Sequence, residues 1–302
     1  MIKNLVLAGA QIKGISYIGC LRALAELGLL NNLENICGVS SGSIVALCIF
    51  LELTFANIEK LVFELVNYDS IKSSGKVDIS NLIDKYGFET GYNLMRIIEL
   101  IIEKKTSNKA CTFSQLRKLF PNKKLIIVGT NLTDNSTEFF SIDTTPDMEI
   151  RTAIRISISI PFVFTKVEYE NSVYVDGGVG SNFPMDFFSE DMENTLGVYV
   201  VSLNYADDIG SFEAYANRIF RRLMDNNDNY IIERYRKNII LITVDYDYLE
   251  LDLNMDKKTY LLNCGYTQTK LNINKTIFES TLTIKNVYLK KIFTTIKNLF
   301  PN

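Results

Sequence analysis

The chain has 302 residues, of which 47% are hydrophobic and 22% charged, and its formal net charge is -3 with no histidine. These are ordinary globular values, which exclude a collagen-like or disordered chain, and the slightly acidic balance gives no electrostatic footprint for nucleic acid. A chain of this length fits one large α/β domain or two small ones. Because no internal repeat, linker or low-complexity tract divides it, we predict a single domain over 1–302.

The cysteines and the apolar runs indicate the cellular compartment and the kind of membrane contact to expect. Five cysteines are an odd number, and they are widely spaced and mostly inside apolar segments, which favours reduced core thiols over a disulfide framework. The N-terminus "MIKNLVLAGA" has no signal-peptide pattern, and the longest apolar run, "SIVALCIFL", is too short to span a bilayer. We therefore expect a cytoplasmic protein whose membrane contact, if any, is peripheral. Since zinc sites usually need histidine or paired cysteines, we expect no metal and no other cofactor.

The first predicted elements form a βαβ unit. Residues 5–7 are a continuous apolar run that breaks at Gly9, as in a buried parallel strand, and residues at helical spacing follow until Gly28. A second strand, Asn35–Val39, leads into an almost wholly apolar helix, which is typical of a buried one. The crossover makes both strands parallel, so their carboxyl ends share the sheet edge where open α/β sheets place their sites.

The remaining periodicities alternate between helix and strand. They predict helix over 57–110, strands at 124–132 and 137–142, a helix at 148–159 stopped by Pro161, and strands at 172–178 and 196–203. From about 209 onward helices dominate, with one late strand at 238–246. An apolar stripe at 94–102 is interpreted as core, with a lid over a pocket as the alternative.

The segment "GVSSGS" at 38–43 places Ser40 between Gly38 and Gly42, at a junction of strand and helix. There, GxSxG is typical of a nucleophile elbow, a tight turn whose glycines allow the flanking chains to approach and whose hydroxyl stands at a helix N-terminus. A glycine-rich turn with a serine N-cap has the same letters. The strand before it and the buried helix after it favour the nucleophile.

The turn in "LVLAGAQIKG" is predicted to lie beside this elbow. It is no phosphate loop, because that motif needs Lys and then Ser or Thr directly after its last glycine, and here Ile15 follows Gly14. Gln11 stands where the dinucleotide fingerprint needs its second glycine. Its backbone N–H groups could instead stabilise a tetrahedral oxyanion. The candidate oxyanion and substrate-binding residues are Gly9, Ala10, Gln11 and Ser41. The alternative is a tight turn with no ligand.

Without histidine, a serine nucleophile needs another proton acceptor. The segment "YVDGGVGSNFP" offers Asp176 at a strand end, followed by Gly177 and Gly178. A carboxylate there could accept the serine proton if the site desolvates it, because a free aspartate with a pKa of about 3.9 is a weak base. Asp-Gly-Gly is also a common turn. Lys13 ranks second as a base, since it would first have to lose its charge.

Together, "AGAQIKGISYIG", "GVSSGS" and "YVDGGVGSNFP" resemble the patatin-like phospholipase family, whose members carry a glycine-rich oxyanion loop, a GxSxG elbow and a later DGG or DGA in this order. The segment "AIRISISIPFVF" is similar to the family's approach to its catalytic aspartate strand. The resemblance covers about residues 5–205, while the helical part at about 209–302 is less diagnostic.

The resemblance implies a three-layer αβα sandwich with a central, mostly parallel sheet. It implies a lipid acyl hydrolase of the phospholipase A or lysophospholipase type, acting on phospholipid or another acyl lipid. Ser40 would be the nucleophile and Asp176 the base of a catalytic dyad, with a covalent acyl-enzyme that water hydrolyses.

One departure from the family concerns the glycine triplet, which falls on Gly9, Ala10 and Gln11, so two glycines are replaced. If those positions need φ above zero, their side chains would strain or reshape the oxyanion hole. The alternative hypothesis is therefore a catalytically weak or inactive lipid-binding or interaction protein on the same fold.

The C-terminal segment "IKNVYLKKIFTTIKNLF", residues 284–300, sets apolar residues on one helical face and lysines elsewhere. This pattern is typical of surface-seeking helices and predicts peripheral docking to a membrane. A terminal helix packed on its own domain has the same pattern, so both interpretations stay open.

Overall fold

The computed structural model describes residues 1–65, 84–203, 228–245 and 254–273, with the single positions 210, 215, 218, 219 and 222. The amphipathic segment predicted at 284–300 lies outside the described residues. Within them, the strands are β1 (Asn4–Leu7), β2 (Asn35–Val39), β3 (Gly87–Glu89), β4 (Lys124–Asn131), β5 (Ser136–Phe140), β6 (Phe162–Phe164), β7 (Val167–Tyr169), β8 (Ser172–Asp176), β9 (Thr195–Ser202) and β10 (Ile239–Val244).

The helices of the described ranges are interspersed with these strands. They are α1 (Ile15–Glu26), α2 (Ser41–Phe50), α3 (Phe55–Leu65), α4 (Tyr92–Thr106), α5 (Phe113–Leu119), α6 (Ile150–Ser157), α7 (Gly177–Ser181), α8 (228–234) and α9 (255–273). Short 3-10 helices occupy Gln11–Gly14, Met185–Asn194 and Arg236–Asn238.

The central sheet is mostly parallel, as predicted. Its strands run β10-β9-β1-β2-β4-β8-β7, with β5 also paired to β4. The pairs from β10 to β4 are parallel, whereas β5 and β8 pair with β4, and β7 with β8, in antiparallel fashion. The α/β fold predicted from the sequence is therefore confirmed.

The edge of β4 determines where two distant segments meet. Residues 127–128 of β4 pair with both β2 and β5, so these strands lie on opposite edges of β4. Residues 129–131 pair with both β5 and β8, so β8 takes the edge that β2 leaves. Because β2 and β8 lie end to end, Val39 faces Val128 and Asp176 faces the next residue, Gly129.

Both faces of the sheet are covered, which gives the three layers. Side chains alternate along β1, so Leu5 and Leu7 join one buried cluster and Val6 joins another. The first cluster includes residues of α1 to α6 and α9. The second face is covered by the 3-10 segment Met185–Asn194 and by α8. The helix α2, apolar on all sides, is packed in the first of these layers, as predicted for a buried helix.

The helix α9 crosses α1 at very close range. A Cβ on Gly265 would overlap the carbonyl oxygen of Ser16, and a Cβ on Gly19 would overlap that of Leu262. Polar contacts flank the crossing, since Tyr266 donates to Glu26 at 2.7 Å and Lys270 pairs with the same carboxylate at 2.9 Å. The late helix thus packs directly against the first helix of the motif-bearing core.

The prediction of helix over 57–110 is wrong at β3, and no sequence pattern indicated β6 or β7. β3 and β6 pair with each other as a separate two-stranded ribbon. A Cβ on Gly87 would overlap the backbone of Phe164, so the pairing depends on this glycine. Three-residue strands are too short to show a period of two, and tertiary pairing decides their conformation.

The thiols and the helix lengths bear on the chain as a whole. All five cysteines are unpaired, and Cys264 alone among them is partly accessible. In the part of the chain that the structure describes, no helix is long and apolar enough to cross a bilayer.

Candidate active site

Ser40 lies in the sharp turn between β2 and α2. Its backbone has φ 52 and ψ -129, which is uncommon for a residue with a side chain and is found where the surrounding structure enforces it. A Cβ on Gly38 would lie 2.5 Å from the carbonyl oxygen of Gly42, and a Cβ on Gly42 would lie 2.5 Å from that of Leu7. The two glycines of the GxSxG pattern are therefore required for the close crossing of the chain.

Two buried serines hold this strained turn. The backbone N–H of Ser40 donates to Oγ of Ser157 at 3.0 Å, and Oγ of Ser43 donates to the carbonyl oxygen of Ser40 at 2.6 Å. Ser157 is the last residue of α6 and is fully buried. Both backbone polar groups of Ser40 are thus satisfied by side chains on different helices, which stabilises the conformation that presents its hydroxyl.

Asp176 ends β8 and caps the N-terminus of α7. Its Oδ1 accepts the backbone N–H of Gly178 at 2.7 Å, and its own N–H donates to the carbonyl oxygen of Ser159 at 2.9 Å. The residue is only 1% exposed. Among the described residues, Oδ2 has no hydrogen-bond partner of ordinary geometry. One carboxylate oxygen is therefore anchored and the other is available for a proton.

The Ser40 hydroxyl and the Asp176 carboxyl are neighbours, as their positions along β4 require. Burial raises the pKa of Asp176 from its usual 3.8 to about 7, and the Gly178 N–H and the Ser40 hydroxyl each partly oppose that rise. The carboxylate interacts with the serine side chain although no hydrogen bond of standard length and angle links the two. Apo sites often show such loose contacts, which tighten when a substrate binds.

The glycine turn lies against the elbow, and its backbone N–H groups differ in whether they have a protein acceptor. The Gly9 N–H donates to the carbonyl oxygen of Asn182 at 3.2 Å, and the Ala10 N–H donates to Oγ of Ser41 at 3.2 Å. Among the described residues, the N–H groups of Gln11 and Ser41 have no protein acceptor. These two amides, one from the turn and one from the N-terminus of α2, are candidate donors to a ligand.

The expectation of strain from φ above zero applies to one of the two replaced glycines. Gln11 has φ 51, a left-handed conformation that costs a residue with a Cβ roughly 1–2 kcal/mol. Ala10 has φ -142, outside the left-handed region that favours glycine. Of the two replaced glycines, Gln11 alone therefore carries left-handed strain.

The other predicted residues lie around the same point. Gly14 ends the 3-10 helix that follows the turn, where a Cβ would meet the Ser41 hydroxyl at 2.7 Å, and Gly177 lies against the backbone of Val128. Lys13, the second candidate base, is buried in the same 3-10 helix. Burial raises the pKa of the Asp176 carboxyl, and the Ser40 hydroxyl lowers it in part. No cluster of three metal-binding side chains occurs within the described ranges.

The segments that form this site are also those that match a known family. The family model for patatin-like phospholipase matches residues 5–189, more than half of the 302 residues. The chain belongs to the patatin-like phospholipase family. The matched part of this patatin-like chain contains the glycine turn, the serine elbow and the Asp-Gly-Gly turn.

Two relatives of this patatin-like chain are viral proteins. It is 34% identical over 290 residues to the uncharacterized protein R571 of Acanthamoeba polyphaga mimivirus, covering 91% of this chain and 95% of that protein. It is 31% identical over 186 residues to the probable lipid hydrolase 463L of Invertebrate iridescent virus 6, covering 61% and 62% of the two chains.

Among solved structures, VipD from Legionella pneumophila superposes with a TM-score of 0.67 at 19% identity, covering 91% of this chain and 67% of that chain. At this level of identity the likeness establishes a shared fold and nothing about the substrate.

Two groups that contact the site of this patatin-like protein had no assigned role in the sequence. Ser157, which holds the Ser40 N–H, lay in a segment interpreted only as a helix leading to the aspartate strand. Asn182, which holds Gly9, lay in "YVDGGVGSNFP" without a role of its own. Its one visible signal was an asparagine at the predicted end of the turn, and asparagine is common in turns of every kind.

Proposed function

We propose that this protein is a lipid acyl hydrolase of the phospholipase A or lysophospholipase type. The observation on which the proposal rests is a fully buried carboxyl, Asp176, beside the hydroxyl of a serine held in an elbow, Ser40. Membership of the patatin-like phospholipase family and the similarity to a probable viral lipid hydrolase support lipid hydrolysis in general. The dyad and the ester class are our proposal.

In the proposed mechanism, Asp176 accepts the Ser40 proton as Oγ attacks the acyl carbon. The carbonyl electrons move onto oxygen, and the free N–H groups of Gln11 and Ser41 stabilise that charge together with the N-terminal dipole of α2. When the tetrahedral intermediate collapses, the C–O bond to the alcohol breaks and the alcohol leaves with the proton from Asp176. Water then attacks the acyl-enzyme and gives a proton to Asp176. When the second tetrahedral intermediate collapses, the C–O bond to Ser40 breaks, Oγ of Ser40 takes the proton back from Asp176, and the fatty acid is released.

The burial of Asp176 suits it to the role of base for Ser40. A carboxylate whose pKa is about 7 is a stronger base than an exposed aspartate and still ionises near neutral pH. The desolvation that raises this pKa also strengthens the pull of nearby N–H dipoles on an oxyanion. A serine-histidine triad is ruled out because the chain has no histidine, whereas a dyad needs none.

The substrate we propose is phospholipid or another acyl lipid, met at a membrane surface from a cytoplasmic location. The unpaired state of all five thiols supports that location, because oxidising compartments favour disulfides. Neither nucleic acid nor a cofactor has a part in the proposed chemistry.

The test compares fatty-acid release by the wild type, Ser40→Ala and Asp176→Asn from phosphatidylcholine vesicles, phosphatidylglycerol vesicles and lysophosphatidylcholine micelles. We expect each variant to lose at least about a thousandfold in rate, because neither half of a nucleophile and base pair functions alone. A fluorophosphonate should label Ser40 in the wild type and leave Ser40→Ala unlabelled.

The matched control is Ser141→Ala, which removes another buried serine hydroxyl that accepts a backbone N–H, at 3.2 Å from Asp143, outside the site. It should keep wild-type rates. A folded wild type that neither labels nor releases fatty acid from any of these lipids would favour the alternative, a lipid-binding protein without catalysis.

A further inference from the structure

Asn182 holds the glycine turn by both backbone groups of Gly9. Its carbonyl oxygen accepts the Gly9 N–H at 3.2 Å, and its side-chain Nδ2 faces the Gly9 carbonyl oxygen at 3.4 Å. The side chain is 4% exposed, so water does not compete for these contacts. A Cβ on Gly9 would overlap Oδ1 of Asn182 and lie 3.1 Å from the Cβ of Ser40. Gly9 of the turn therefore lies close to both Asn182 and the nucleophile.

A buried carboxylate fixes the amide orientation of Asn182. Nδ2 donates to Oδ2 of Asp228 at 2.6 Å, and the same oxygen accepts the hydroxyl of Tyr199 at 2.8 Å. Asp228 is 2% exposed. Reversing the amide would bring its oxygen against the carboxylate and leave the Gly9 carbonyl without its partner, so only one orientation satisfies these groups. Asp228 and Tyr199 thus determine how Asn182 meets the turn.

The position of Asn182 in the chain links this contact to the base. Asp176 caps the start of α7 and Asn182 follows its last residue, Ser181. One five-residue helix therefore connects the proton acceptor with the residue that holds the glycine turn. A shift of Asn182 would move the turn relative to Ser40 without removing any group that contacts the substrate.

We propose that Asn182, oriented by Asp228 and Tyr199, is a positioning residue. It sets the distance between the glycine turn and Ser40, and hence the position of the Gln11 N–H as an oxyanion donor. The inference rests on the proposed function, since an oxyanion donor has meaning only if Ser40 attacks an acyl group. Asn182 itself contacts neither substrate nor proton. Its effect is on transition-state stabilisation, where displacement of a reacting group by 1 Å can cost about a hundredfold in rate.

The test is Asn182→Asp, which keeps the size of the side chain and places a second carboxylate against Asp228. Repulsion should push the side chain and the turn apart. We expect kcat for fatty-acid release to fall by about 10- to 100-fold with KM within about twofold of wild type, because the lost interaction is one made in the transition state. Tyr199→Phe, which removes one donor to Asp228 and leaves Asn182 unchanged, should lower kcat by less and in the same way.

Asn4→Asp is the matched control at the opposite end of β1. Asn4 is also buried, at 1% exposed, and its Nδ2 also donates to a carboxylate, Oδ2 of Asp191 at 2.9 Å. The same substitution should therefore lower stability and leave kcat unchanged. Equal loss of kcat in Asn182→Asp and Asn4→Asp, or a loss confined to KM, would overturn the positioning role and leave Asn182 a purely structural residue.

A second measurement separates this proposal from the proposed function. Hydrogen exchange of the amides in residues 8–14 should quicken in Asn182→Asp and Tyr199→Phe and stay at the wild-type rate in Asn4→Asp. If the wild type releases no fatty acid, the proposed function fails, yet quickened exchange still supports the link between Asn182 and the turn. Unchanged exchange in the Asn182 variant overturns the link whether or not the wild type is active.

Discussion

Among the individual side chains of the site, Asp176 owes its chemistry to its surroundings. A carboxyl at the surface would ionise near pH 4 and accept a serine proton poorly. Here burial raises its pKa to about 7, and the N–H of Gly178 and the Ser40 hydroxyl moderate the rise. The same aspartate in an exposed Asp-Gly-Gly turn would be an ordinary turn residue, so its identity alone does not suit it to the proposed role of base.

The raised pKa of Asp176 predicts the pH dependence of the reaction. Only the ionised carboxylate can accept the proton, so kcat/KM should rise about tenfold per pH unit below the pKa and level off above it, with a midpoint at about pH 7. A pH profile of fatty-acid release, with folding checked by circular dichroism at each pH, measures this.

If the base were a carboxyl with the ordinary aspartate pKa, the midpoint would lie near pH 4. If Lys13 were the base, the midpoint would lie at the pH where its ammonium group loses a proton. A rate that stays constant from pH 5 to pH 8 would exclude Asp176 as a base in this environment.

Among the secondary-structure elements and their connections, the glycine turn between β1 and α1 shows how a departure from the family pattern is accommodated. In the sequence, Ala10 and Gln11 both stand where the family pattern has glycine, and nothing distinguishes the two replacements. The backbone separates them, because Gln11 has φ 51 and Ala10 has φ -142. Strain therefore arises at one position, and within the described ranges the N–H of that same residue faces no protein acceptor.

This difference predicts opposite effects of two glycine substitutions. Gln11→Gly removes left-handed strain worth roughly 1–2 kcal/mol, which exceeds the entropy that glycine adds to the unfolded chain, so the free energy of unfolding should rise by about 0.5 kcal/mol or more. Ala10→Gly relieves no strain and should lower that free energy by about 0.4–1 kcal/mol. Chemical denaturation of both variants beside wild type measures the pair, and the same sign for both would contradict the assigned backbone.

At the scale of the whole molecule, helix α9 packs directly against α1, the first helix of the motif-bearing part. Gly265 approaches Ser16, which lies at the start of α1 shortly after the glycine turn. Since the turn leads through its 3-10 helix into α1, the packing of α9 supports the site from a distance. The helical C-terminal part, which is less diagnostic in sequence, thus contributes to the core through α9.

Gly265→Ala tests this contact. Alanine favours a helix by about 1 kcal/mol over glycine, but its Cβ would overlap the Ser16 carbonyl, and the overpacking should cost more, for a net loss of roughly 1–3 kcal/mol in the free energy of unfolding. Thr267→Ala, at an exposed position of the same helix, should be close to neutral. Equal stability of the two variants would show that the helices are not in contact.

Local patterns in the chain were enough to predict the βαβ start with its two parallel strands and the candidates Ser40 and Asp176, and the family resemblance implied the mostly parallel sheet. Those inferences depended on periodicity and on turn residues, which a linear pattern records. The three-residue strands β3, β6 and β7 were missed or assigned to helix because such short strands show no period, and pairing alone makes them strands.

How the candidates meet depends on the folded chain. The proximity of Ser40 and Asp176 follows from β2 and β8 sharing one edge of β4, and no motif spacing encodes that register. No motif spacing encodes the hydrogen bond from the Ser40 N–H to Ser157 or the one from the Gly9 N–H to Asn182 either, because the partners are distant in sequence. Burial, and with it the pKa of Asp176, is a property of all the elements packed around one side chain, so it exists only once the chain has folded.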